Sequence, residues 1–303
     1  MTFLVSDEVA MAVAAGRAVV GLETSVIGQG LPYPRNLECV ERMDTAIRGT
    51  GAIPGWTGVV DGAVRVGFDR PELERFAEPE AAVKVARRDV PVAVASGSLG
   101  ATTVSATIWA AHRAGIGVAA TGGIGGVHPG PRPDVSADLL ELGRTPIVLI
   151  ASGPKSIVDL AATAEKLEEL GVALVGYGVN RLPFFLAREA PVALEHRVDT
   201  PDAAAAIARA HRSLGVEAGI VLCNPIAPEH ALDRDELMAA TARAKSRMDA
   251  AGVVGKAVTP FLLRALAEET GGRSLDANLA LLEDNARLAA EVAVAISAAT
   301  SGR

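Results

Sequence analysis

The chain of 303 residues has few aromatic residues, few cysteines and no excess of basic charge, and each shortage argues against a class of protein. Aromatic residues make up 3% of it, and 36 acidic residues outnumber 29 basic ones, so neither a base-stacking platform nor a basic track for nucleic acid is visible. Cys39 and Cys223 belong to no metal-binding pattern or disulfide framework, which fits a reducing cytoplasm. No apolar run reaches the roughly 18 residues of a membrane span, so we expect a soluble, unexported protein.

What the sequence does contain is typical of a globular α/β protein. Half of the residues are hydrophobic. Short apolar runs predict strands, and most are followed by the three- and four-residue spacing of an amphipathic helix. The predicted strands are 17–22, 91–95, 116–120, 146–151, 172–176 and 218–223. The predicted helices include 4–15, 35–49, 101–114, 137–143, 157–170, 201–213, 233–251 and 275–298.

The alternation of strands and helices predicts a largely parallel sheet that is covered by helices on both faces. The segment 52–68 differs, because it has the pattern of a β-hairpin with a turn at Asp61-Gly62. We therefore expect a three-layer α/β/α fold with a largely parallel mixed sheet and a hairpin extension. No repeat or flexible linker interrupts the chain, which favours a single domain over residues 1–303.

Lys155 lies in the segment Ser-Gly-Pro-Lys-Ser at 152–156, between a predicted strand and a predicted helix. Ser156 and Asp159 have the spacing of a capping box, which would place Lys155 just outside the positive end of that helix. That end disfavours an ammonium, so the free amine that attacks an electrophilic carbon becomes more accessible. A solvated lysine in a loop is the alternative interpretation.

Other polar segments also follow predicted strands, where ligands of open α/β sheets bind. Glu23 follows the first strand and is a candidate general acid or base, or else an exposed loop glutamate. Lys84 lies near Arg87 and Arg88 in a segment that suits either phosphate binding or a solvated basic face. The small residues of 96–103 are expected to follow a strand and open a helix, a setting for an anion.

The glycine-rich segment 121–128 fails the dinucleotide pattern GxGxxG, because the third position falls on His128. A nicotinamide cofactor is therefore disfavoured. Farther along, Asp134 and Asp138 with Ser136 between them suit a hard cation such as Mg²⁺ or Mn²⁺. The structural alternative is that Ser136 caps a helix and Asp138 lies in its first turn.

These segments resemble the pseudouridine-5′-phosphate glycosidase family, also called the indigoidine-synthase-A-like family, over nearly the whole chain. The family cleaves a C–C glycosidic bond to give uracil and ribose 5-phosphate, and the reaction is reversible. The matching segments are 22–38, 84–89, 100–104, 121–128, 134–138, 154–160, 224–226, 255–263 and 274–279.

The resemblance implies a role for each matching residue. Lys155 corresponds to a nucleophile that attacks C1′ of the ribose, opens the ring and forms an imine, and Glu23 corresponds to the proton donor. It also implies a homotrimer in which Asp134 binds one Mn²⁺ per subunit. The residues implied to bind substrate are Lys84, Val104, Ser136, Ala137, Asp138 and Asn278.

The chain departs from the family pattern at four places near these residues. Thr24 and Ser25 are exchanged, Gln29 replaces a usual histidine, Ser98-Leu99 replaces a common pair, and the loop at 129–133 is shorter. These changes keep open a related C-glycosidase that takes another phosphorylated C-nucleoside. A non-catalytic protein that binds a phosphosugar is the alternative from another class, although it would have no chemical need for the proposed catalytic pair.

Overall fold

The structure, a computed structural model, describes residues 2–129, 134–253 and 255–301. The strands are β1 (Phe3–Val5), β2 (Val19–Glu23), β3 (Ile53–Val60), β4 (Ala63–Val66), β5 (Val83–Val85), β6 (Gly100–Thr102), β7 (Val118–Ala120), β8 (Val127–His128), β9 (Asp134–Val135), β10 (Val148–Ala151), β11 (Ala173–Tyr177), β12 (His196–Val198) and β13 (Ile220–Cys223). The α-helices are α1 (Asp7–Ala14), α2 (Arg35–Gly49), α3 (Arg70–Ala77), α4 (Val90–Ser96), α5 (Val104–Arg113), α6 (Ala137–Leu142), α7 (Leu160–Glu169), α8 (Pro201–Leu214), α9 (Arg234–Ala250), α10 (Val258–Glu269) and α11 (Arg273–Ser301). Short helical turns span Val26–Gly30, Arg87–Asp89 and Gly255–Ala257.

Most of the strands form one mixed sheet in the order β1-β4-β3-β2-β7-β10-β13-β11-β12, and β5 and β6 attach beside β3. Every pairing from β3 across to β12 is parallel, whereas β3 pairs antiparallel with both β4 and β6. The β3–β4 hairpin turns at Asp61 and Gly62, whose φ angles of 51° and 75° suit the tight turn expected there. The predictions of a largely parallel sheet and of a hairpin extension are confirmed.

Helices cover both faces of the sheet because alternate strand residues point in opposite directions. In β10, Val148 and Ile150 belong to one core together with residues of α2, α8 and α11. Leu149 and Ala151 belong to a second core together with residues of α1, α5 and α6. Cys39 and Cys223 are buried free thiols. In the described part of the chain, no helix is long and apolar enough to cross a bilayer.

The connections leave the sheet in opposite directions at the boundary between β2 and β7. β2 leads through α2 to β3 on one side, and β7 leads through α6 to β10 on the other. The helices α2 and α6 contribute to different cores and so lie on opposite faces. A crevice forms beyond the carboxyl ends of strands at such a reversal, and it is where α/β proteins bind ligands.

The strand predicted at 91–95 is wrong, because these residues form α4. Val90 and Ala93 are buried at a spacing of three, whereas Val92 is 69% exposed, so the burial does not alternate as in a strand. Pro91 lies in the first turn of the helix, where the missing N–H costs nothing. The segment 96–103 consequently follows a helix and contains β6 rather than following a strand.

Three predicted helices begin too early. In 4–15 the first residues form β1, and Ser6 accepts a hydrogen bond from the Val9 N–H as the N-cap of α1. In 101–114 the first residues belong to β6. In 157–170 the helix starts only at Leu160. Each error merges a short non-helical segment, a strand in the first two cases and a turn in the third, with the helix after it, because three residues are too few to display a period of their own.

Candidate active site

A cleft of about 1070 Å³ opens beyond the carboxyl ends of β2, β7 and β10. Its lining comes from the residues that follow these strands and from α5, α10 and α11. The volume is at the upper end of the range of about 300–1,000 Å³ for small-molecule sites. Every site residue predicted from the sequence lines this cleft, namely Glu23, Lys84, Val104, Asp134, Ser136, Ala137, Asp138, Lys155 and Asn278.

Glu23 is the last residue of β2 and is only 6% exposed. Its Oε2 accepts a hydrogen bond of 2.5 Å from the Ser25 hydroxyl, and its Oε1 accepts one from the hydroxyl of Thr121. Thr121 is the first residue after β7, so two neighbouring strand ends hold the carboxylate in place. Glu23 is therefore not the exposed loop glutamate that the sequence left open.

Lys155 is half-buried in the loop that follows β10. The backbone of this loop pairs with the loop after β7, because the Lys155 N–H donates to the Ile124 carbonyl at 2.9 Å and the Ile124 N–H donates to the Gly153 carbonyl at 3.1 Å. The Lys155 side chain has no hydrogen bond or ion pair with any residue of the described ranges. Its backbone is thus fixed while its amine is uncommitted.

The predicted relation of Lys155 to a helix N-terminus is wrong. The N-cap of α7 is Asp159, whose side chain accepts a hydrogen bond from the Ala162 N–H, and the helix begins at Leu160. Ser156 does not cap it, and its buried Oγ has no hydrogen-bond partner among the described residues. Helix-dipole effects fade within one turn, so the dipole of α7 does not act on the Lys155 amine as the sequence predicted.

The glycines of 121–128 are required by close approach rather than by positive φ, since none of them is in the left-handed region. A Cβ on Gly125 would lie 2.3 Å from the Ser136 Oγ, and one on Gly126 would lie 2.3 Å from the Thr163 Oγ1. The loop therefore packs directly against the segments before α6 and within α7.

Asp138 is 6% exposed and holds two backbone segments together. Its Oδ1 accepts a hydrogen bond of 3.0 Å from the Ser105 N–H, and its Oδ2 accepts one of 2.9 Å from the Gly125 N–H. Ser136 is the N-cap of α6, with its hydroxyl accepting from the Asp138 N–H, so the capping alternative is correct in local structure. Both residues still face the cleft.

Asp134 lies opposite His128 in the antiparallel β8–β9 pair at the edge of the cleft. Burial lowers the pKa of His128, and the Asp134 carboxylate opposes that shift. Among the described residues, no group of three His, Cys, Asp or Glu side chains could hold a metal. A cation held at Asp134 would therefore keep most of its waters and bind substrate oxygens, as Mg²⁺ and Mn²⁺ do.

The α5 N-terminus lies on one side of the cleft beside two cationic side chains. Val104 is the first residue of α5, and Thr103 precedes it at the N-cap with no side-chain cap. Lys84 is half-buried in β5, which pairs with β6 immediately before this helix. Arg87 lies 4.2 Å above the ring of Trp109 on the same side. A helix N-terminus beside cationic side chains is suited to a phosphate.

Asn278 on α11 is 8% exposed and lies against the glycine loop, where a Cβ on Gly122 would be 3.3 Å from its Oδ1. Three other polar residues of the cleft were not predicted as site residues. Thr121 and His128 lie within the segment 121–128 that the sequence did single out, and the position of Thr121 directly after β7 was the available signal for that residue. Gln29 donates from Nε2 to the Ala82 carbonyl at 2.9 Å, and its buried Oε1 has no partner in the described structure.

The family of indigoidine synthase A like proteins matches residues 8–295. The chain belongs to this family. Among curated relatives, it is 48% identical to a pseudouridine-5′-phosphate glycosidase from Herpetosiphon aurantiacus, with 97% of each chain covered. It is 45% identical to one from Methylobacterium nodulans, with 98% of this chain and 88% of the relative covered. The relatives are enzymes, and so is this family member.

Two solved structures share the fold. One is the prealnumycin C-glycosynthase AlnA in complex with ribulose 5-phosphate, which is 39% identical with a TM-score of 0.89 over 100% of this chain and 99% of that one. The other is an indigoidine synthase A-like protein from Thermotoga maritima, also 39% identical, with a TM-score of 0.90 over 98% and 97% of the two chains. The three-layer α/β fold predicted from the sequence is therefore shared by these relatives.

Proposed function

We propose that the protein cleaves the C–C glycosidic bond of pseudouridine 5′-phosphate to give uracil and ribose 5-phosphate, in a reversible reaction through an imine on Lys155. The observation that carries the proposal is a lysine amine, without a hydrogen bond or ion pair to any described residue, in the same cleft as a buried, hydrogen-bonded carboxylate. The names of the relatives, and the phosphosugar in the C-glycosynthase complex, support this substrate class.

The chemistry of the bond explains why a lysine is needed. An ordinary glycosidase protonates a leaving oxygen, but a carbon-linked base offers no lone pair to protonate. In the proposed reaction the Lys155 amine forms a bond to C1′ while the C1′–O4′ bond breaks, and the ring oxygen takes the proton that the amine loses. The nitrogen lone pair then forms the C=N bond as the C1′–C5 bond breaks, and water later hydrolyses the imine to release ribose 5-phosphate.

Glu23 supplies the proton that the base needs in order to leave. The electron pair of the broken C1′–C5 bond stays on C5 of uracil, and that carbon is protonated as the bond breaks. Ser25 and Thr121 donate to the two oxygens of Glu23, which fixes the direction of the carboxyl group without neutralising it by an ion pair. When water hydrolyses the protonated imine to the free Lys155 amine and the aldehyde, one proton is released, and it replaces the proton that Glu23 gave to uracil.

The phosphate and the cation complete the proposed site. The N-terminus of α5 at Val104, together with Lys84, would bind the 5′-phosphate, and Asn278 would contact the sugar or base. Asp134 and His128 would hold Mn²⁺, which supplies positive charge for oxygens of the substrate. Ser136, Ala137 and Asp138 place the adjoining segment against the glycine loop.

Borohydride trapping tests the proposal directly. The protein is incubated with ribose 5-phosphate, Mn²⁺ and borohydride, and the adduct is located by peptide mass spectrometry. We expect a reduced ribosyl-phosphate adduct on Lys155 that is lost in Lys155→Ala. Lys245→Ala is the control variant, because Lys245 of α9 pairs with Asp249 and does not line the cleft. Tight ribose 5-phosphate binding without an adduct or turnover would instead identify a phosphosugar-binding protein.

The second candidate is a C-glycosidase for another phosphorylated C-nucleoside. The buried Oε1 of Gln29, which has no hydrogen-bond partner among the described residues, favours this candidate. A buried amide oxygen without a donor is costly, and a hydrogen-bond donor on the bound base would satisfy it. Comparison of kcat/KM for pseudouridine 5′-phosphate and related C-nucleotides separates the two candidates. A preference of more than about tenfold for another base, equal to 1.4 kcal/mol, would reassign the substrate.

We also propose that the protein is a cytoplasmic homotrimer, in line with the resemblance. The buried free thiols of Cys39 and Cys223 suit a reducing compartment. Exposed apolar side chains such as Met11, Val92 and Leu214 give the surface contacts that association can bury. Light scattering after size-exclusion chromatography would give three times the mass of the 31.0 kDa chain.

A further inference from the structure

Asn285 on α11 is a fully buried polar residue that the proposed mechanism does not use. A buried amide is costly unless its hydrogen bonds are made, so its presence in a core of apolar side chains needs a reason. It lies seven residues after Asn278, which is two helical turns, and so faces the same side of α11. That side packs on the ends of the central strands, because α11 contacts β2, β7 and β10.

The partners of Asn285 are the first residues after three adjacent parallel strands. Its Nδ2 donates to the carbonyl of Thr121 at 2.8 Å and to the Oγ of Ser152 at 3.0 Å, and its Oδ1 accepts from the Nδ2 of Asn224 at 2.9 Å. Its Nδ2 also lies 3.4 Å from the Gly122 carbonyl. These residues directly follow β7, β10 and β13, which pair in that order.

Two of these strand ends lead directly to the proposed catalytic residues. The side chain of Thr121 donates to Glu23, and Ser152 begins the loop that carries Lys155 three residues later. Backbone hydrogen bonds already join these ends, since the Thr121 N–H donates to the Ile150 carbonyl at 3.0 Å and the Ser152 N–H donates to the Gly122 carbonyl at 2.9 Å. The Asn285 side chain adds to them by donating to the Thr121 carbonyl. The side-chain amide of Asn285 thus hydrogen-bonds both to Thr121, which orients Glu23, and to Ser152, which begins the loop of Lys155.

We propose that Asn285 is a positioning residue that sets the distance between Glu23 and Lys155 by holding the ends of β7 and β10 together. The inference rests on the proposed function. Asn285 does not line the cleft, and its partners do not include the α5 N-terminus or Lys84 on the anion side. Its loss should therefore affect the chemical step and spare the binding of the phosphate.

The test is Asn285→Asp, which conserves the volume and the acceptor for Asn224 but removes the donor to the Thr121 and Gly122 carbonyls. The Ser152 hydroxyl, which also lies 3.4 Å from the Asn285 Oδ1 as a donor, can still donate to the carboxylate, so the variant releases the end of β7 in particular. Asn36→Asp is the matched control. Asn36 is also buried, its Nδ2 donates to the Ile27 and Ala77 carbonyls at 3.1 Å each, and its Oδ1 accepts from a backbone N–H. None of these partners lines the cleft.

We expect Asn285→Asp to lower kcat for pseudouridine 5′-phosphate about 100-fold with little change in KM, as misplacement by about 1 Å can do. The rate of borohydride trapping on Lys155 should fall in parallel. Asn36→Asp should lower the melting temperature while kcat stays near that of the wild type. A merely structural role for Asn285 would give the two variants the same kcat at matched folded concentration.

Ser152→Ala removes the hydroxyl partner of Asn285 instead of the amide. It keeps the inference testable if Asn285→Asp does not fold. Ser152 is buried outside the cleft lining, and the change removes one hydroxyl. We expect a kcat loss of about tenfold at unchanged KM. A wild-type kcat in Ser152→Ala, or the same kcat in Asn285→Asp and Asn36→Asp, overturns the positioning role of Asn285 and leaves the proposed function intact. A wild-type protein without turnover and without an adduct overturns the proposed function as well.

Discussion

Gly153 gives a sharp test of the structure around Lys155, because any side chain there meets a fixed backbone. It lies two residues before Lys155 and has a φ of 77°. A Cβ at this position would lie 2.2 Å from the carbonyl oxygen of Pro183. That oxygen cannot swing aside, since the neighbouring Phe185 N–H donates to the Ser152 carbonyl at 2.9 Å and ties the two segments together.

The cost of Gly153→Ala has two parts. A left-handed conformation costs an alanine about 1–2 kcal/mol. The Cβ must also move from 2.2 Å to at least 3.4 Å from the oxygen, where ordinary contact begins, and it can do so only by shifting backbone. Overpacking of this kind adds about 1–3 kcal/mol. We therefore expect about 2–5 kcal/mol of destabilisation, which corresponds to a fall of about 4–10 °C in Tm for a chain of this size.

Gly178→Ala is the control that isolates the first part. Gly178 has a φ of 69°, but nothing lies within 4 Å of the position of its Cβ. Its substitution should lower Tm by only about 2–4 °C. Thermal melts of both variants and borohydride trapping on Lys155 are the assays. Equal melting temperatures, or an unchanged trapping rate in Gly153→Ala, would refute the packing of the Lys155 loop described above.

Three further predictions address the acid, the cation and the pH dependence of stability. Glu23→Gln should lower kcat by about 10²–10⁴-fold while ribose 5-phosphate still forms the trapped adduct, and loss of the adduct would contradict a proton-donor role. Asp134→Asn should raise the Mn²⁺ concentration needed for half-maximal activity, and an unchanged Mn²⁺ titration would remove Asp134 from the metal site. Burial raises the pKa of Asp44, so its contribution to stability is present at low pH and is lost as pH rises through the folded pKa. Asp44→Asn keeps the side-chain oxygen that accepts from the Trp56 N–H. It should raise Tm at pH 7, and this gain should disappear as pH falls toward 3.8, the usual pKa of an aspartate. A gain in Tm that does not depend on pH would refute the raised pKa of Asp44.

The elements with long, regular patterns were predictable from the sequence. The helix at 35–49 has the predicted bounds, because its apolar residues recur at helical spacing over four turns. The helix at 90–96 was taken for a strand, since a seven-residue run of mostly valine and alanine has strand-like composition and too few turns to show a period. Its solvent-exposed Val92 is a tertiary feature that composition does not reveal.

The candidate site was partly predictable for a topological reason. Parallel strands end at one edge of the sheet, so Glu23 at the end of β2 and Lys155 after β10 had to lie on the same side once the sheet was recognised. Asn285 was not predictable, because its role depends on the packing of α11 against strands far away in the sequence. Its neighbours in the sequence give no sign that its amide reaches Thr121 and Ser152.

The position of α7 removes the helix dipole from the physical account of Lys155, because the helix begins only at Leu160. Glu23 is the buried carboxylate at the end of β2, and the hydroxyls of Ser25 and Thr121 donate to its two oxygens. These two hydroxyls orient the acid, and each carboxylate oxygen can still accept a second hydrogen bond. Removal of either hydroxyl, as in Ser25→Ala, should therefore lower kcat by slowing the proton transfer, while borohydride trapping on Lys155 continues.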